Sequence, residues 1–168
     1  MKYGLAAGAV AAVLLLAFTC ESVGEETGCS IPQEDSIQGK ILAEGRREAA
    51  FDFLYPCRLP NSQRLTNISV VGASGRQSVT LTFEGPFEIN IYQSQTIPVA
   101  SADPAGASHI VLRNLFPGID ADLIEINEGA RKAQYRLVWR QGGMYYEIAA
   151  AGPPLQRRTI LEIARSLQ

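Results

Sequence analysis

The chain has 168 residues, of which 46% are apolar and 19% charged, and its formal net charge is −2. This length suits one domain, and the balance of apolar and charged residues is that of a globular protein. A weakly acidic chain whose basic residues are scattered lacks the basic face that nucleic-acid binding needs. We therefore expect no nucleic-acid partner.

The first twenty residues have the pattern of an export signal. Lys2 precedes an uncharged apolar run from Gly4 to Phe18. Such a run fits the core of a signal peptide and is short for a membrane-spanning helix, which needs about 20 residues. Residues 21–35 are acidic and contain no basic residue. Positive charge before the run and negative charge after it favour transfer of the rest of the chain across a membrane.

Cys20 stands directly at the end of this apolar run, where a bacterial lipoprotein carries its acylated cysteine. The stretch Leu16–Cys20 resembles a lipobox, although two of its residues are larger than usual. We expect residues 1–20 to be a lipoprotein signal and Cys20 to carry the lipid that anchors the protein at the outer side of a membrane. Two alternatives stay open, namely an uncleaved signal anchor and ordinary cleavage, for instance after Gly24.

The cysteine count fits an exported protein. The chain has three cysteines and a single histidine, His109. If Cys20 is lipidated, Cys29 and Cys57 are left as a pair, and a disulfide between them would stabilise the fold by about 3–4 kcal/mol. The alternative is two independent thiols, because sequence does not show proximity. Since no CxxC motif is present, we expect no metal site and no cofactor.

The remaining chain divides into a tether and one domain. We expect an acidic tether over residues 21–35 and a single α+β domain over residues 36–168. Helical periodicity predicts a first helix over residues 36–49 and a closing helix over residues 159–167. The apolar face predicted for the first helix consists of Ile37, Ile41 and Leu42, and two glycines are expected to weaken it.

Strands are predicted where apolar and polar residues alternate. They lie at residues 51–55, 64–72, 77–83, 87–95, 109–116, 120–126, 135–140 and 144–150. Tight turns at Gly85-Pro86 and at Gln141–Gly143 predict hairpins. The expected fold is therefore an antiparallel β-sheet packed with an N-terminal and a C-terminal helix.

Several of these elements together resemble a known family. The pieces are Tyr55–Pro60, Val79–Phe83, Ile89–Gln93, the hairpin Leu137–Ile148 with its tryptophan, glycines and tyrosines, and the helical stretch Leu161–Leu167. Over roughly residues 48–168 the chain resembles the bacterial domain of unknown function numbered 4367. That family occurs in membrane-anchored extracytoplasmic proteins, including lipoproteins and anti-sigma-type proteins. The resemblance implies the same location and brings no catalytic residue.

No catalytic constellation stands out, and we expect the protein not to be an enzyme. Ser101 and Asp103 lie near His109 in sequence, but the strained turn that presents a catalytic serine is missing. Asp120 and Asp122 would share one face of a strand. We interpret them as charges that protect an exposed sheet edge, with a cation site as the alternative.

The hairpin at residues 135–150 offers a candidate binding surface. Alternation places Trp139 in the core and directs Tyr145 and Glu147 away from it. We therefore expect a non-catalytic binding module whose partner is a protein or another component of the cell envelope. The alternative is a carrier of an apolar ligand or a lipoprotein, in which the sheet curves around the closing helix and holds an acyl chain.

Overall fold

A computed structural model describes Cys29 and residues 31–60, 62–98, 103, 106–127, 133–153 and 155–168. The elements are α1 (Ile37–Glu48), β1 (Arg64–Val71), β2 (Ser78–Glu84), β3 (Glu88–Ser94), β4 (Ser108–Phe116), β5 (Ile119–Asn127), β6 (Ala133–Gln141), β7 (Met144–Ala151) and α2 (Arg157–Arg165). The predicted signal, the predicted lipidation site at Cys20 and residues 21–28 lie outside the described residues. No helix within the described residues is both long and apolar enough to cross a membrane.

The seven strands form one antiparallel sheet in the order β1-β2-β3-β7-β6-β5-β4. β1 to β3 make one meander and β4 to β7 make a second, and the two meet where β3 pairs with β7. The predicted antiparallel sheet with an N-terminal and a C-terminal helix is confirmed. Among the described strands, β1 and β4 are the edges of the sheet.

One face of the sheet carries the hydrophobic core. Alternate residues of neighbouring strands lie opposite one another there, in a fully buried row made of Leu81, Ile91, Ile148, Leu137 and Leu123. Two isoleucines of α2 are buried with them in the same core cluster. Since burying one such side chain contributes about 1.5–3 kcal/mol, this row and α2 account for a large part of the packing.

α1 packs against β1, and its buried side combines two glycines with Leu42 of the predicted apolar face. Gly39, Leu42 and Gly45 are buried, whereas Ile37 is 79% exposed, so its predicted place on the buried face is wrong. A Cβ added to Gly45 would lie 2.6 Å from Cγ2 of Ile68 on β1. The missing side chain therefore lets the helix approach the strand closely.

The predicted strand at residues 51–55 is wrong, although the alternation of burial within it holds. The side-chain amide of Gln93 binds both backbone groups of Leu54, accepting from its N–H at 2.8 Å and donating to its carbonyl at 2.7 Å. Tyr55 exchanges two backbone hydrogen bonds with Gln168, at 2.9 and 3.1 Å. Because these partners satisfy its backbone, the segment crosses the core face without joining the sheet.

A disulfide joins Cys29 to Cys57, the pair that the cysteine count predicts, with their Cα atoms 4.4 Å apart. Cys29 lies inside the predicted tether of residues 21–35. The chain is therefore attached to the domain at Cys29, eight residues before α1 begins at Ile37. This attachment leaves residues 21–28 of the predicted tether between Cys29 and the predicted lipidation site at Cys20.

The hairpin turns define two ends of the sheet. The β2–β3 turn at Gly85 lies at the end of the sheet nearest the disulfide, which we call the disulfide end. There Gln63, six residues after Cys57, donates a side-chain hydrogen bond to the Phe87 carbonyl at 2.9 Å. The β4–β5 and β6–β7 turns lie at the opposite end, as the pairing of Ala121 with Trp139 requires. We call this second end the groove end.

Asp120 and Asp122 lie on β5, which is paired on one side with β4 and on the other with β6. The interpretation of these carboxylates as protection for an exposed sheet edge is therefore wrong. Sequence places them correctly on one strand face, but it does not show that a further strand pairs outside them.

Candidate functional site

The face of the sheet opposite the core, here called the open face, carries mixed polar and apolar side chains. One row across it consists of Thr80, Tyr92, Glu147, Val138 and Asp122, each opposite the next on neighbouring strands. All five residues are half-buried, in contrast to the fully buried row on the core face. Side chains on the open face are therefore available to a ligand or partner.

Tyr145 and Glu147, the predicted binding residues, lie together on this face. The Tyr145 hydroxyl donates a hydrogen bond to Glu147 Oε2 at 2.8 Å. The ring of Tyr145 also meets the ring of Tyr92 edge to face, with centroids 5.9 Å apart. Burial and the hydrogen bond to the Glu147 carboxylate raise the pKa of Tyr145 well above its usual value. The phenol is therefore neutral at physiological pH.

An apolar groove of about 550 Å³ opens beside Tyr145 at the groove end of the sheet. Its lining includes Ile97, which is 59% exposed, and Val111, which is 63% exposed. Val138 contributes a half-buried side chain from β6, and Arg140 adds a positive charge to the lining. Large aliphatic side chains exposed together in a concave surface are typical of an interaction site.

Ile97 and Val111 are the two groove residues that sequence reasoning missed. Ile97 follows the end of β3 in a polar stretch with no strand alternation to orient it. Val111 stands between Ile110 and Leu112, and an unbroken apolar run does not show which members face solvent. Its exposure arises because β4 is an edge strand, a fact that only the strand order supplies.

A cluster of charged side chains lies next to the groove on the open face. His109 Nδ1 lies 3.0 Å from Asp122 Oδ2, and His109 Nε2 lies 3.1 Å from Asp103 Oδ2. Asp103 is also paired with Arg136 of β6. The hydrogen bond to Asp122 and the negative charges of both carboxylates raise the pKa of His109 above its usual value. The cluster therefore favours the imidazolium form.

This arrangement differs from that of a catalytic triad or a cation site. Both ring nitrogens of His109 face carboxylates, so neither is left to accept a proton from a serine hydroxyl. Ser101 lies outside the described residues. Asp120 binds Arg113 at 3.3 Å instead of converging with Asp122. In the part of the chain that the structure describes, no three acidic, histidine or cysteine side chains are placed to hold a metal ion.

A second concave surface, which we call the disulfide-end cleft, has a volume of about 720 Å³. It is formed where the segment after Cys57 meets the last turn of α2, and the Ser166 carbonyl accepts a hydrogen bond from the Cys57 N–H at 2.9 Å. Arg58 and Arg165 both line it and are both exposed. Glu162, which also lines it, is paired with Arg158 at 2.6 Å.

Comparison of the chain with protein-family models, with curated proteins and with solved structures finds no match. The resemblance to the domain of unknown function 4367 therefore stays a prediction.

Proposed function

We propose that the protein is a membrane-tethered, extracytoplasmic binding module without catalytic activity, and that its partner docks in the groove beside Tyr145. The observation that carries this proposal is that the exposed Ile97 and Val111 line the same groove as Tyr145, whose ring packs against that of Tyr92. On β2 and β3 the open face carries the polar Thr80, Thr82 and Asn90, so the groove is an apolar patch beside a polar area. Burial of such a patch is the common source of binding free energy.

The proposed location rests on the leader and on the cysteines. Residues 1–20 have the charge pattern and length of an export signal, and Cys20 ends the apolar run. The bond between Cys29 and Cys57 supports the same location, because disulfides persist outside the cytoplasm and are rare inside it. Lipidation of Cys20 would give a stable anchor, since it supplies more than one acyl chain.

The groove also suggests what kind of partner fits. Its size admits one or two apolar side chains rather than a whole domain. Arg140 and the Tyr145–Glu147 pair lie beside the apolar floor and would bind polar groups of the same partner. We therefore propose an envelope protein that inserts an aliphatic or aromatic side chain flanked by polar groups.

The alternative function is that of a carrier for an apolar ligand or a lipoprotein, with an acyl chain held between the sheet and the closing helix. Ile148 of the sheet and Ile160 and Ile163 of α2 are fully buried between these two layers. Packed side chains thus occupy the place that a carrier would keep for an acyl chain. Organic extraction of the purified protein tests this alternative, and a stoichiometric acyl lipid in the extract would favour it over the groove.

The groove proposal is tested by placing a photo-crosslinking amino acid at Val111 in the full-length chain, in intact cells. Val71 is the matched control, because it is also a valine on an edge strand and is 62% exposed. We expect a discrete crosslinked product at Val111, lost when Tyr145→Ala is added, and none at Val71. Equal products at both positions, or none at Val111, would contradict the proposal.

The tether is tested separately with Cys20→Ser. We expect this variant to leave the membrane fraction, while a Cys29→Ser variant stays in it because the lipid attachment is intact. Retention of the Cys20→Ser variant in the membrane would remove the lipoprotein claim and favour the uncleaved anchor.

A further inference from the structure

We propose that the Cys29–Cys57 disulfide holds the disulfide-end cleft against the membrane that carries the anchor, where Arg58 and Arg165 contact anionic lipid headgroups. This inference rests on the proposed membrane tether and adds to it an orientation of the domain and a second partner, the lipid surface. Under this proposal the groove faces away from the membrane.

The length of chain between the proposed anchor and the domain limits how far the domain can lie from the membrane. A tether over residues 21–35 could extend about 50 Å, which would leave the orientation of the domain free. The disulfide attaches Cys29 to the domain, so that only residues 21–28 separate it from Cys20. Eight residues extend at most about 30 Å. The disulfide therefore limits the surface around Cys57 to within about 30 Å of the lipid attachment, whereas the full tether would allow about 50 Å.

Two arginines lie close to Cys57 at the disulfide-end cleft. Arg58 follows it directly in the chain, and Arg165 belongs to the turn of α2 that binds this segment. Arg58 and Arg165 both line the disulfide-end cleft, and neither forms an ion pair with a carboxylate among the described residues. The acidic Glu162 is neutralised by Arg158. Among the described side chains that line the cleft, Arg58 and Arg165 are thus the charged groups without an ion-pair partner.

The charge of these two arginines is complementary to that of an anionic lipid headgroup. Guanidinium groups bind phosphate oxygens through paired hydrogen bonds, and a cleft of about 720 Å³ admits a headgroup. Each basic residue near an anionic membrane surface raises binding about fivefold, provided that it lies within a Debye length of about 8–10 Å. The short tether places both arginines where this condition can be met.

The orientation also separates the two surfaces. Antiparallel pairing puts the β2–β3 turn at one end of the sheet and the β4–β5 and β6–β7 turns at the other. The cleft adjoins the first end, and the groove with Val111 and Arg140 adjoins the second. A domain resting on the membrane through its cleft would thus present the groove to other envelope proteins.

The test uses the full lipidated chain reconstituted into vesicles of phosphatidylcholine alone or of phosphatidylcholine mixed with phosphatidylglycerol. Arginines are modified with phenylglyoxal, and the rate at each position is read by mass spectrometry. We expect Arg58 and Arg165 to react about fivefold or more slowly in the anionic vesicles than in the neutral ones. Arg113 and Arg140 at the groove end are the controls, and their rates should be the same in both.

Two further arms distinguish other sources of protection. Slow modification of Arg58 and Arg165 in neutral as well as anionic vesicles would indicate shielding by the acidic tether and would overturn the proposal. Protection in neutral vesicles on addition of glycerol phosphate would indicate a soluble phosphate ligand instead, with the same consequence. Equal reactivity of all four arginines in anionic vesicles would also overturn it.

Variants test the role of the disulfide and of the charge. In Arg58→Gln, the anionic-vesicle protection of Arg165 should fall several-fold, whereas Arg113→Gln should leave it unchanged. A Cys29→Ser/Cys57→Ser double variant, checked for folding by its thermal transition, should lose protection because its tether is longer. The proposed function fails on different results, namely retention of the Cys20→Ser variant in the membrane fraction or absence of a crosslink at Val111, so the failures are distinguishable.

Discussion

His109 Nδ1 lies 3.0 Å from Asp122 Oδ2, and this contact joins edge strand β4 to its neighbour β5 on the open face, beside the groove. The other ring nitrogen of His109 faces Asp103, which lies in the connection between β3 and β4. The imidazolium of His109 therefore attaches that connection to the sheet together with Arg136 of β6, which is also paired with Asp103. Its protonation state should affect the stability of the region next to Tyr145.

We predict that the pKa of His109 in the folded protein lies above its usual value of 6.5, with the hydrogen bond to Asp122 as the main cause. The single histidine of the chain can be followed by NMR without overlap. Asp122→Asn should lower the pKa, whereas Asp120→Asn, which affects the ion pair with Arg113, should leave it unchanged. A His109 pKa at or below 6.5 would contradict the geometry.

The same shift predicts a pH dependence of stability. A group whose pKa is higher in the folded than in the unfolded state stabilises the fold fully below its unfolded pKa of about 6.5. This contribution is lost as the pH rises through the folded pKa. We expect the urea midpoint of the wild type to fall over that interval and the Asp122→Asn variant to show a smaller fall. The same dependence of the urea midpoint on pH in both proteins would contradict a stabilising interaction between His109 and Asp122.

Reduction of the disulfide should destabilise the domain. Cys29 and Cys57 are separated by 28 residues in sequence, and a closed loop of that size corresponds to about 3–4 kcal/mol in the chain-entropy account. Urea unfolding with and without reductant measures the difference in the free energy of unfolding. A Cys20→Ser variant should show the same difference, and a reductant effect below about 1 kcal/mol would speak against a disulfide that constrains the fold.

Gly39→Ala should destabilise the protein by about 1–3 kcal/mol, although alanine ordinarily stabilises a helix relative to glycine by about 1 kcal/mol. The reason is that a Cβ at Gly39 would lie 1.9 Å from the Gln33 carbonyl oxygen, which belongs to the backbone and has little freedom to move. Ala43, on the exposed side of α1, is the control. Ala43→Gly should lower the free energy of unfolding by about 1 kcal/mol, as glycine does at an ordinary helix position. A Gly39→Ala protein more stable than the wild type would contradict the close approach of Gly39 to the Gln33 carbonyl.

Gln93→Ala should destabilise the protein by about 2–4 kcal/mol, because a fully buried amide is lost and both backbone groups of Leu54 are left without partners. Gln141→Ala, at an exposed position next to a hairpin turn, should change stability by less than about 0.5 kcal/mol. Denaturant unfolding compares the two variants. Similar effects at both positions would show that the segment containing Leu54 is not held by Gln93.

Much of the sheet follows directly from the alternation of side chains. Val79, Leu81 and Phe83 occupy every second position and are all fully buried, as a half-buried strand requires. The pairing of β3 with β7 could not be predicted, since hairpin patterns specify only neighbours in sequence. The interior position of β5 has a different origin, namely its pairing with β4 and β6, its neighbours in sequence. The alternation pattern alone did not assign those two pairings, so the partners of Asp120 and Asp122 were missed.

The candidate site was only partly predictable for the same reason. Alternation across the last hairpin gives the direction of Tyr145 and Glu147, because Trp139 and Tyr146 fix the core side. The apolar part of the groove depends on Val111, which is exposed through the position of β4 at the sheet edge. Long-range strand order, and not local pattern, therefore determines where the groove lies.

The measurement that tests the account most directly is protease accessibility of the folded domain on cells whose cytoplasmic membrane is intact. The account places the domain outside that membrane, and it places the disulfide there as well. It predicts that protease added to intact spheroplasts removes the domain while a cytosolic control protein survives. A domain that stays protected until the membrane is lysed, and that is recovered with free Cys29 and Cys57 thiols, would contradict the proposed location and with it the proposed function.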